Sequence, residues 1–281
     1  MLNQPLSLNL VAQRAVASAL DLLAPLDCAG CHARVDAGRD LCGPCRQQLH
    51  DGSPMAVRLN APGPSAHIAA FAATRYEGDV RSILLGYKER GRQGLRADLG
   101  FALFVACLAA WLEVPPEQAM LPLRLVPVPS RRATVRQRGH DGVRGVARAA
   151  AGRLRCLGVA VSVAPVLRHA REVADQAGLT VEARAANLAG ALEVRRPGRL
   201  RGSVVVVVDD IVTTGATAAE AVRALADSSA EVIGFAAIAA TPRRSAEATL
   251  VASSARSASS ARRAGPVALA LPSEPPGDGR Q

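Results

Sequence analysis

The 281-residue sequence has very few aromatic side chains and a single lysine. Phe, Tyr and Trp together make up 2% of the chain and form no cluster, which disfavours a surface on which several nucleic-acid bases stack. Hydrophobic residues still make up 49%, so the sequence predicts a core built mainly from Ala, Val and Leu. No Ser-His-Asp set and no cysteine nucleophile stands out, which leaves covalent catalysis without an evident candidate.

Long apolar runs are also missing. The longest, residues 99–112, is shorter than the ~20 residues that cross a bilayer, so it predicts a buried helix rather than a membrane span. The N-terminus has no basic stretch followed by an apolar one, and residues 8–24 predict an ordinary helix. We therefore expect a cytoplasmic protein without a membrane segment.

The charge is strongly one-sided, with 34 basic against 24 acidic residues and a net charge of +10. A basic chain favours polyanions, and phosphorylated substrates and nucleic acid both qualify, so charge alone does not choose between them. Nearly all the basic residues are arginine. The one lysine, Lys88, is expected near a helix end, where it is either a solvated cation or a specific contact.

Two Cys-x-x-C pairs lie close together near the N-terminus; their members are Cys28, Cys31, Cys42 and Cys45. Four thiolates on two tight turns suit tetrahedral Zn²⁺, and a full set of four ligands indicates a structural site. The alternatives are a redox pair and, less favoured in a cytosolic chain, disulfides. His32 is a candidate neighbour rather than a ligand. Cys107 and Cys156 lie in apolar helical patterns and are expected to be inert core residues.

Composition divides the chain into three parts. Glycine and proline concentrate at residues 51–65, which predicts a linker between an N-terminal zinc module, residues 1–60, and a larger domain, residues 61–242. The remainder, residues 243–281, consists of Ala, Ser, Arg, Pro and Gly without a core-forming period, so we expect it to be disordered.

The larger domain alternates between strand and helix patterns. Predicted strands lie at 67–76, 123–128, 159–167, 204–208 and 231–240, and predicted helices lie at 78–88, from 143 onward, and at 218–226. Such alternation predicts a parallel α/β sheet flanked by helices. Ligands bind such sheets at the carboxyl ends of the strands.

Residues 204–217 carry the most informative pattern: five valines, then Asp209-Asp210, then the loop Thr213-Thr214-Gly215-Ala216-Thr217. A strand, a short loop and a helix in this order direct free backbone N–H groups at one point, which suits a phosphate group. The two carboxylates would repel phosphate, so they are expected to face sugar hydroxyls or a hydrated divalent metal. Thr217 and Glu220 have capping-box spacing. The alternative is an ordinary core strand followed by an acidic turn.

Two further segments are candidates for ligand contacts. Pro127 and Pro129 predict a rigid turn after the strand at 123–128, and the arginine-rich loop that follows contains Arg138, which could turn toward a ligand or remain plain surface charge. Residues 168–180 are polar, show no apolar period, and have the length of a mobile lid.

The 204–217 pattern resembles the PRPP-binding motif of type I phosphoribosyltransferases. Together with the cysteine pairs, the whole layout resembles the ComF family of competence-associated, phosphoribosyltransferase-like proteins. The motifs that carry this resemblance are Tyr76-Glu77-Gly78 with Lys88, Val126-Pro127-Val128-Pro129, Arg138-Gly139-His140, and Gln176 with Arg184 and Asn187. The family often has a larger aromatic residue where His140 stands.

The resemblance implies a type I phosphoribosyltransferase-like domain with an N-terminal zinc ribbon, and it assigns roles to residues. Asp209 and Asp210 would hold the ribose hydroxyls of PRPP, and Thr213, Thr214, Gly215, Ala216 and Thr217 would hold its 5′-phosphate. Val128, Pro129 and Ser130 would form the pyrophosphate loop, with Lys88 and Arg138 nearby. Mg²⁺ would bridge the pyrophosphate and the ribose, and residues 168–180 would close over the site.

Three functions stay open at this point. The first is a phosphoribosyltransferase that binds PRPP and Mg²⁺ and releases pyrophosphate on transfer to an acceptor that the sequence does not name. The second, which the family name implies, is a non-enzymatic DNA-uptake factor with single-stranded DNA or a helicase as its partner. The third is a PRPP sensor without turnover. The sequence does not indicate an oligomeric state.

Overall fold

A computed structural model gives the three-dimensional structure of the chain. It describes residues 27–36, 38–51, 53–59, 68–130, 135–136, 139–171, 187–228 and 230–242. The compact unit to which these residues belong ends at Pro242. The predicted helix at 8–24 and the predicted tail at 243–281 lie outside the described residues.

The described residues contain one large, mostly parallel sheet and one small antiparallel sheet. The strands are β1 Met55–Ala56, β2 Ala69–Arg75, β3 Leu123–Pro127, β4 Val161–Val163, β5 Leu167–His169, β6 Leu192–Val194, β7 Val204–Val212 and β8 Glu231–Ala240. The large sheet has the order β1-β2-β8-β7-β3-β4, and only β1 runs antiparallel to its neighbour. Strands β5 and β6 pair as a separate antiparallel sheet. The predicted parallel α/β sheet is confirmed.

Strand β7 lies in the middle of the sheet because its valines suit burial on both faces. All five residues from Val204 to Val208 are 0% exposed. Alternate side chains face opposite sides: Val204, Val206 and Val208 belong to one apolar layer, and Val205 and Val207 belong to the other. Because β3, β7 and β8 are parallel, their carboxyl ends meet at one edge of the sheet.

Helices cover both faces of this sheet. They are α1 Gly43–His50, α2 Gly78–Glu89, α3 Arg96–Leu112, α4 Pro116–Ala119, α5 Gly142–Cys156 and α6 Ala216–Ala226, with short 3₁₀ turns at Gln93–Leu95 and Pro197–Leu200. Helices α2, α3 and α5 contribute to the first apolar layer, and α6 contributes to the second. The apolar stripe predicted for α5 is confirmed, since Val143, Val146, Ala147, Ala150 and Leu154 are all buried.

Helix α3 is the apolar segment that the sequence predicted to be a buried helix. With the 3₁₀ turn before it, the 20-residue span Gln93–Leu112 is long and apolar enough to cross a membrane by length and composition alone. Its residues Leu99, Leu103 and Ala106 are 0% exposed and pack in the layer between the sheet and the other helices. Core helices of globular domains can be equally long and apolar, so the packing of α3 agrees with the predicted buried helix.

The cysteine-rich segment packs onto this same layer. Cys28, Ala29, Leu41, Cys45 and Leu49 are buried, and they belong to one apolar cluster with α2, α3 and the sheet. Contacts also reach both ends of α2: the Cys45 Sγ atom lies 3.4 Å from Asp79 Oδ2, and Arg92 donates to Asp40 over 2.8 Å. The ribbon segment therefore shares its core with the sheet domain.

Three sequence-based expectations about elements are wrong. The strand predicted at 159–167 is two strands, β4 and β5, because the chain leaves the large sheet after Val163 to pair with β6. Strand β7 continues through the two aspartates to Val212, since β8 pairs with it along that length. Cys156 is exposed at the end of α5, whereas Cys107 is buried as expected.

The capping box predicted for α6 is also wrong. The helix begins at Ala216 with Gly215 as its N-cap, and no side chain caps it. Thr217 lies inside the first turn, and Glu220 is buried, accepting a hydrogen bond from the backbone N–H of Leu192 at 2.9 Å. The Glu220 carboxylate, which sequence spacing assigned to the helix cap, thus contacts strand β6 instead.

Candidate functional site

The loop between β7 and α6 encloses a cavity at the carboxyl edge of the sheet. We call residues 213–217 the phosphate loop. The cavity is lined by Asp209, Ile211, Val212, Thr213, Thr214, Gly215, Ala216, Thr217, Ala218 and Phe235. Every predicted 5′-phosphate residue is therefore part of one concave surface at the start of a helix.

Gly215 sets the shape of this loop. Its φ of 83° lies in the left-handed region, which a residue with a side chain rarely adopts. The turn directs the chain straight from β7 into α6, and the Thr214 hydroxyl accepts a hydrogen bond from Ala216 N at 3.4 Å. The first-turn N–H groups of α6 lack helical acceptors and carry the positive end of the helix dipole, a geometry that suits an anion.

Asp209 and Asp210 are consecutive residues of β7, just before the phosphate loop. Lys88 at the end of α2 forms an ion pair with Asp210, with 2.8 Å between Nζ and Oδ2. Both side chains are mostly buried, at 22% and 21% exposure. The lone lysine thus makes a specific contact, and the structure brings it to the acidic pair.

The predicted pyrophosphate turn emerges beside this pair. Pro127 of β3 is in register with Val208 of β7, and Val128 N donates to Val208 O over 2.9 Å. Pro129 and Ser130 follow at the same edge. The Pro129 carbonyl oxygen lies 3.1 Å from His169 Nε2, so the small β5–β6 sheet contacts this turn.

The four cysteines form a second, separate cluster. Their Sγ atoms all lie within 4.8 Å of one another, and Cys42 Sγ is 3.6 Å from the Sγ atoms of both Cys28 and Cys31. Tetrahedral Zn²⁺ with ~2.3 Å bonds to sulfur requires sulfur atoms about 3.8 Å apart, which these thiols match. Burial raises the pKa of Cys28, but backbone N–H groups at Cys42, Cys31 and Gly30 outweigh it and lower the pKa to about 6, whereas burial and the neighbouring thiols raise the pKa of Cys45.

Comparison with known families agrees with both clusters. The model of the phosphoribosyl transferase domain matches residues 144–256, which include β7, the acidic pair and the phosphate loop. The model of the double zinc ribbon domain matches residues 19–69, which include the four cysteines. The two matches support a phosphoribosyltransferase-like domain preceded by an N-terminal zinc ribbon. The predicted fold class, a type I phosphoribosyltransferase-like sheet with a small zinc ribbon, is confirmed.

Solved structures provide a further comparison, and 14 of their chains match. One is adenine phosphoribosyltransferase from Saccharomyces cerevisiae, complexed with D-2,5-dideoxy-2,5-imino-altritol 1,6-bisphosphate and adenine. It is 18% identical, and the match covers 71% of this chain and 89% of that one, with a TM-score of 0.33. No curated protein matches the sequence.

The electrostatics of the phosphoribosyltransferase-like site centre on Asp209. Burial raises the pKa of its carboxyl well above the usual value, and the negative charge of Asp210 raises it further. Lys88 and the N–H of Asp210, which donates to Asp209 Oδ1 over 2.8 Å, oppose this shift. An ionised Asp209 is therefore destabilised in the ligand-free protein.

Sequence reasoning missed the polar network behind the phosphate loop. Arg223 donates to both carboxylate oxygens of Glu220 at 2.8 Å and to the carbonyl of Leu192 at 3.0 Å. Burial raises the pKa of Glu220, but the hydrogen bonds from Arg223 and from the Leu192 N–H outweigh it and lower the pKa overall. The network ties α6 to β6. Its sequence signal is a Glu and an Arg three residues apart on one helix.

Two predicted parts of the site lie outside the described residues. They are Arg138 and most of the predicted lid, of which residues 168–171 alone are described. Within that described part, Arg168 is exposed and forms an ion pair with Glu193 of β6, and His169 contacts Pro129. The start of the lid segment therefore belongs to the β5–β6 sheet.

Proposed function

We propose that the protein binds PRPP with Mg²⁺ and transfers its phosphoribosyl group to an acceptor, with release of pyrophosphate. The observation that carries this proposal is the cavity at the end of β7, where Asp209 and the complete phosphate loop share one surface. The phosphoribosyl transferase domain match over the same residues supports it.

In this proposal each group has a task that its geometry suits. The first-turn N–H groups of α6 and the threonine hydroxyls bind the 5′-phosphate. Asp209 and Asp210 accept hydrogen bonds from the ribose hydroxyls, while the ion pair with Lys88 orients Asp210. In the turn at Val128, Pro129 and Ser130, it is Ser130 that provides its backbone N–H and hydroxyl to the pyrophosphate, because Val128 N already donates to Val208 O and proline has no N–H. Arg138 keeps its predicted role there.

The transfer itself exchanges two bonds at C1 of the ribose. The bond from C1 to the pyrophosphate oxygen breaks, and a bond from C1 to the acceptor's nucleophilic atom forms as pyrophosphate leaves with the bonding electrons. Positive charge develops on the ring, so the acidic pair stabilises it while holding the ribose in place. Bound Mg²⁺ supplies charge neutralisation on the leaving group.

The likeness to ComF proteins extends the proposal to a second candidate role. The net charge of +10 favours a polyanionic partner, so the protein would bind single-stranded DNA or a DNA-uptake helicase without transfer. A third candidate is a PRPP sensor, which binds PRPP as in the first proposal but transfers nothing.

The cluster of four cysteines suits a reducing compartment, which agrees with a cytoplasmic location.

The deciding experiment is a titration with PRPP and Mg²⁺, read by thermal stabilisation and by pyrophosphate release across candidate acceptors. We expect PRPP to raise the melting temperature with every candidate acceptor, and pyrophosphate to be released with one class of acceptor. Stabilisation without release over a broad acceptor panel would favour the sensor. No stabilisation at all would refute both PRPP hypotheses, and salt-dependent binding of single-stranded DNA would then support the DNA-uptake role.

Variants test the placement of the ribose. The double variant Asp209→Asn, Asp210→Asn should abolish the thermal stabilisation by PRPP, because the ribose hydroxyls lose their charge-assisted hydrogen bonds to the two carboxylates. The control is Glu117→Gln, an exposed carboxylate on α4, which should leave the titration unchanged. Unchanged PRPP binding by the double variant would show that the ribose lies elsewhere.

A further inference from the structure

A second cavity, of about 270 Å³, opens beside the end of α2 and shares no lining residue with the phosphate loop. Its walls include Tyr87 of α2, Arg96 of α3, and Asp141, Arg144 and Arg148 at the start of α5. We call it the arginine cavity. Three arginines from two helices line one concave surface; Arg144 is half-buried, and Arg96 and Arg148 are exposed.

The positive charge of this cavity is not neutralised within the described part of the chain. None of the three arginines forms an ion pair with a described residue. The one acidic lining residue, Asp141, accepts the backbone N–H of Arg144 at 3.2 Å as the N-cap of α5. Arg144 Nε is buried and finds no acceptor among the described residues. A buried donor without a partner costs stability, so an anion there would relieve that cost.

The walls are held in place by small residues and hydrogen bonds. A Cβ atom at Gly142 would lie 3.2 Å from the Tyr87 ring, and one at Gly145 would lie 3.1 Å from its hydroxyl oxygen. That hydroxyl donates to Gly142 O over 3.2 Å. Gln93 accepts from Arg96 at 2.7 Å and contacts His140. Tyr87 and Arg96 are therefore held in position on two walls of the cavity.

The cavity adjoins the site described above. Tyr87 lines it, and the next residue in α2, Lys88, is paired with Asp210. Burial raises the pKa of Tyr87, and the charges of Asp141 and Asp210 raise it further against the opposing effect of Arg96. The charge of Asp210 thus reaches one wall of the arginine cavity.

We propose that the arginine cavity binds a phosphate group of a second ligand, separate from the phosphates of PRPP. Guanidinium groups bind phosphate oxygens through paired N–H donors, and three of them suit a dianion. Identifying this ligand as the phosphoribosyl acceptor rests on the proposed function. The acceptor would then be a phosphorylated small molecule, held beside Lys88 and Asp210.

The test uses inorganic phosphate as the probe and calorimetry to count sites on the zinc-loaded full chain. Arg144→Gln with Arg148→Gln should remove one equivalent of bound phosphate or weaken it by about tenfold or more, the loss expected for charge-assisted hydrogen bonds. Arg96→Gln, at the start of another helix, should do the same. The matched control is Arg81→Gln, an exposed arginine of α2 outside the cavity.

Three results would overturn the proposal. The arginine variants could bind phosphate as the unaltered protein does, or the control could lose as much, which would show a general charge effect. A Thr214→Ala, Thr217→Ala variant could lose the same equivalent, which would assign it to the phosphate loop. PRPP titration separates this inference from the proposed function: the arginine variants should retain PRPP binding, and failure of PRPP to bind the unaltered protein would leave the phosphate result standing.

Discussion

At the scale of single residues, the site depends on two adjacent carboxylates and one ammonium. Asp209 and Asp210 share the end of a buried strand, and Lys88 neutralises only part of their charge. Their arrangement is costly to the free protein, since burial and a like charge both oppose ionisation of Asp209.

Asp209→Asn should therefore stabilise the ligand-free protein while it weakens PRPP binding. The folded-state pKa of Asp209 is raised, so its ionisation destabilises the fold increasingly as pH rises from the ordinary value of 3.8 through the raised value. The melting temperature of the variant should exceed that of the unaltered protein by about 2–4 °C for each kcal/mol added to the free energy of unfolding. This difference should grow with pH. Melting curves between acid and mildly alkaline pH measure this, and a lower melting temperature at alkaline pH would contradict it.

Lys88→Met should have the opposite effect on stability. It leaves Asp210 beside Asp209 without a counter-charge, and we expect a loss of about 1 kcal/mol, because the pair is partly solvent-screened. Urea unfolding of Lys88→Met, Asp210→Asn and the double variant measures the coupling. Additive effects would show that the ion pair contributes nothing to stability.

At the scale of elements, helices α3 and α5 make an unusually close contact. A Cβ atom built on Gly100 would lie 2.4 Å from the Cβ of Ala149, so the two backbones approach at a point that tolerates no side chain. This contact holds α5, and with it Arg144 and the start of the arginine cavity, against the core.

Gly100→Ala should consequently destabilise the protein by about 1–3 kcal/mol through overpacking, even though alanine favours helices. Gly152→Ala in α5 is the matched control, because its Cβ would meet only the end of the Arg155 side chain, at 3.9 Å. We expect that control to stabilise by about 0.5–1 kcal/mol. Chemical unfolding of both variants checks the pair, and equal effects would refute the close-contact argument.

Helix α2 links the ribbon to the site. Its Asp79 lies against Cys45 Sγ, the Ala29 Cβ atom lies 3.6 Å from the position of a Cβ on Gly86, and Arg92 beyond its end is paired with Asp40. Tyr87 and Lys88 lie in the last turn of the same helix. The cysteine segment therefore supports the element that carries the lysine to Asp210.

At the scale of the whole molecule, the ribbon and the sheet share one apolar cluster, so they should unfold together. Cys31→Ser should lose bound zinc and lower the midpoint of a single melting transition, because metal binding contributes to folding. Cys156→Ser, at the other exposed cysteine, should change neither. Zinc analysis and calorimetry measure both. A separate low-temperature transition for the ribbon would contradict the shared core.

Local sequence determined the features that depend on neighbouring residues. The five valines predicted a doubly buried strand, the glycine and threonines predicted the phosphate loop, and the cysteine spacing predicted the thiol cluster. Each follows from short-range geometry: β-branched side chains fit a central strand, Gly215 adopts a left-handed turn, and two tight turns converge on a metal.

Tertiary structure decided every feature that joins distant residues. Glu220 has the spacing of a capping residue, yet its carboxylate accepts hydrogen bonds from Arg223 and the Leu192 N–H instead. The pattern at 159–167 forms two strands, because β6 pairs with its second half. Likewise, only the folded chain pairs Lys88 with Asp210 and gathers Arg96, Arg144 and Arg148 around one cavity. The physical reason is that hydrogen bonds and charges act over a few ångströms in space, so the packing of the helices selects their partners.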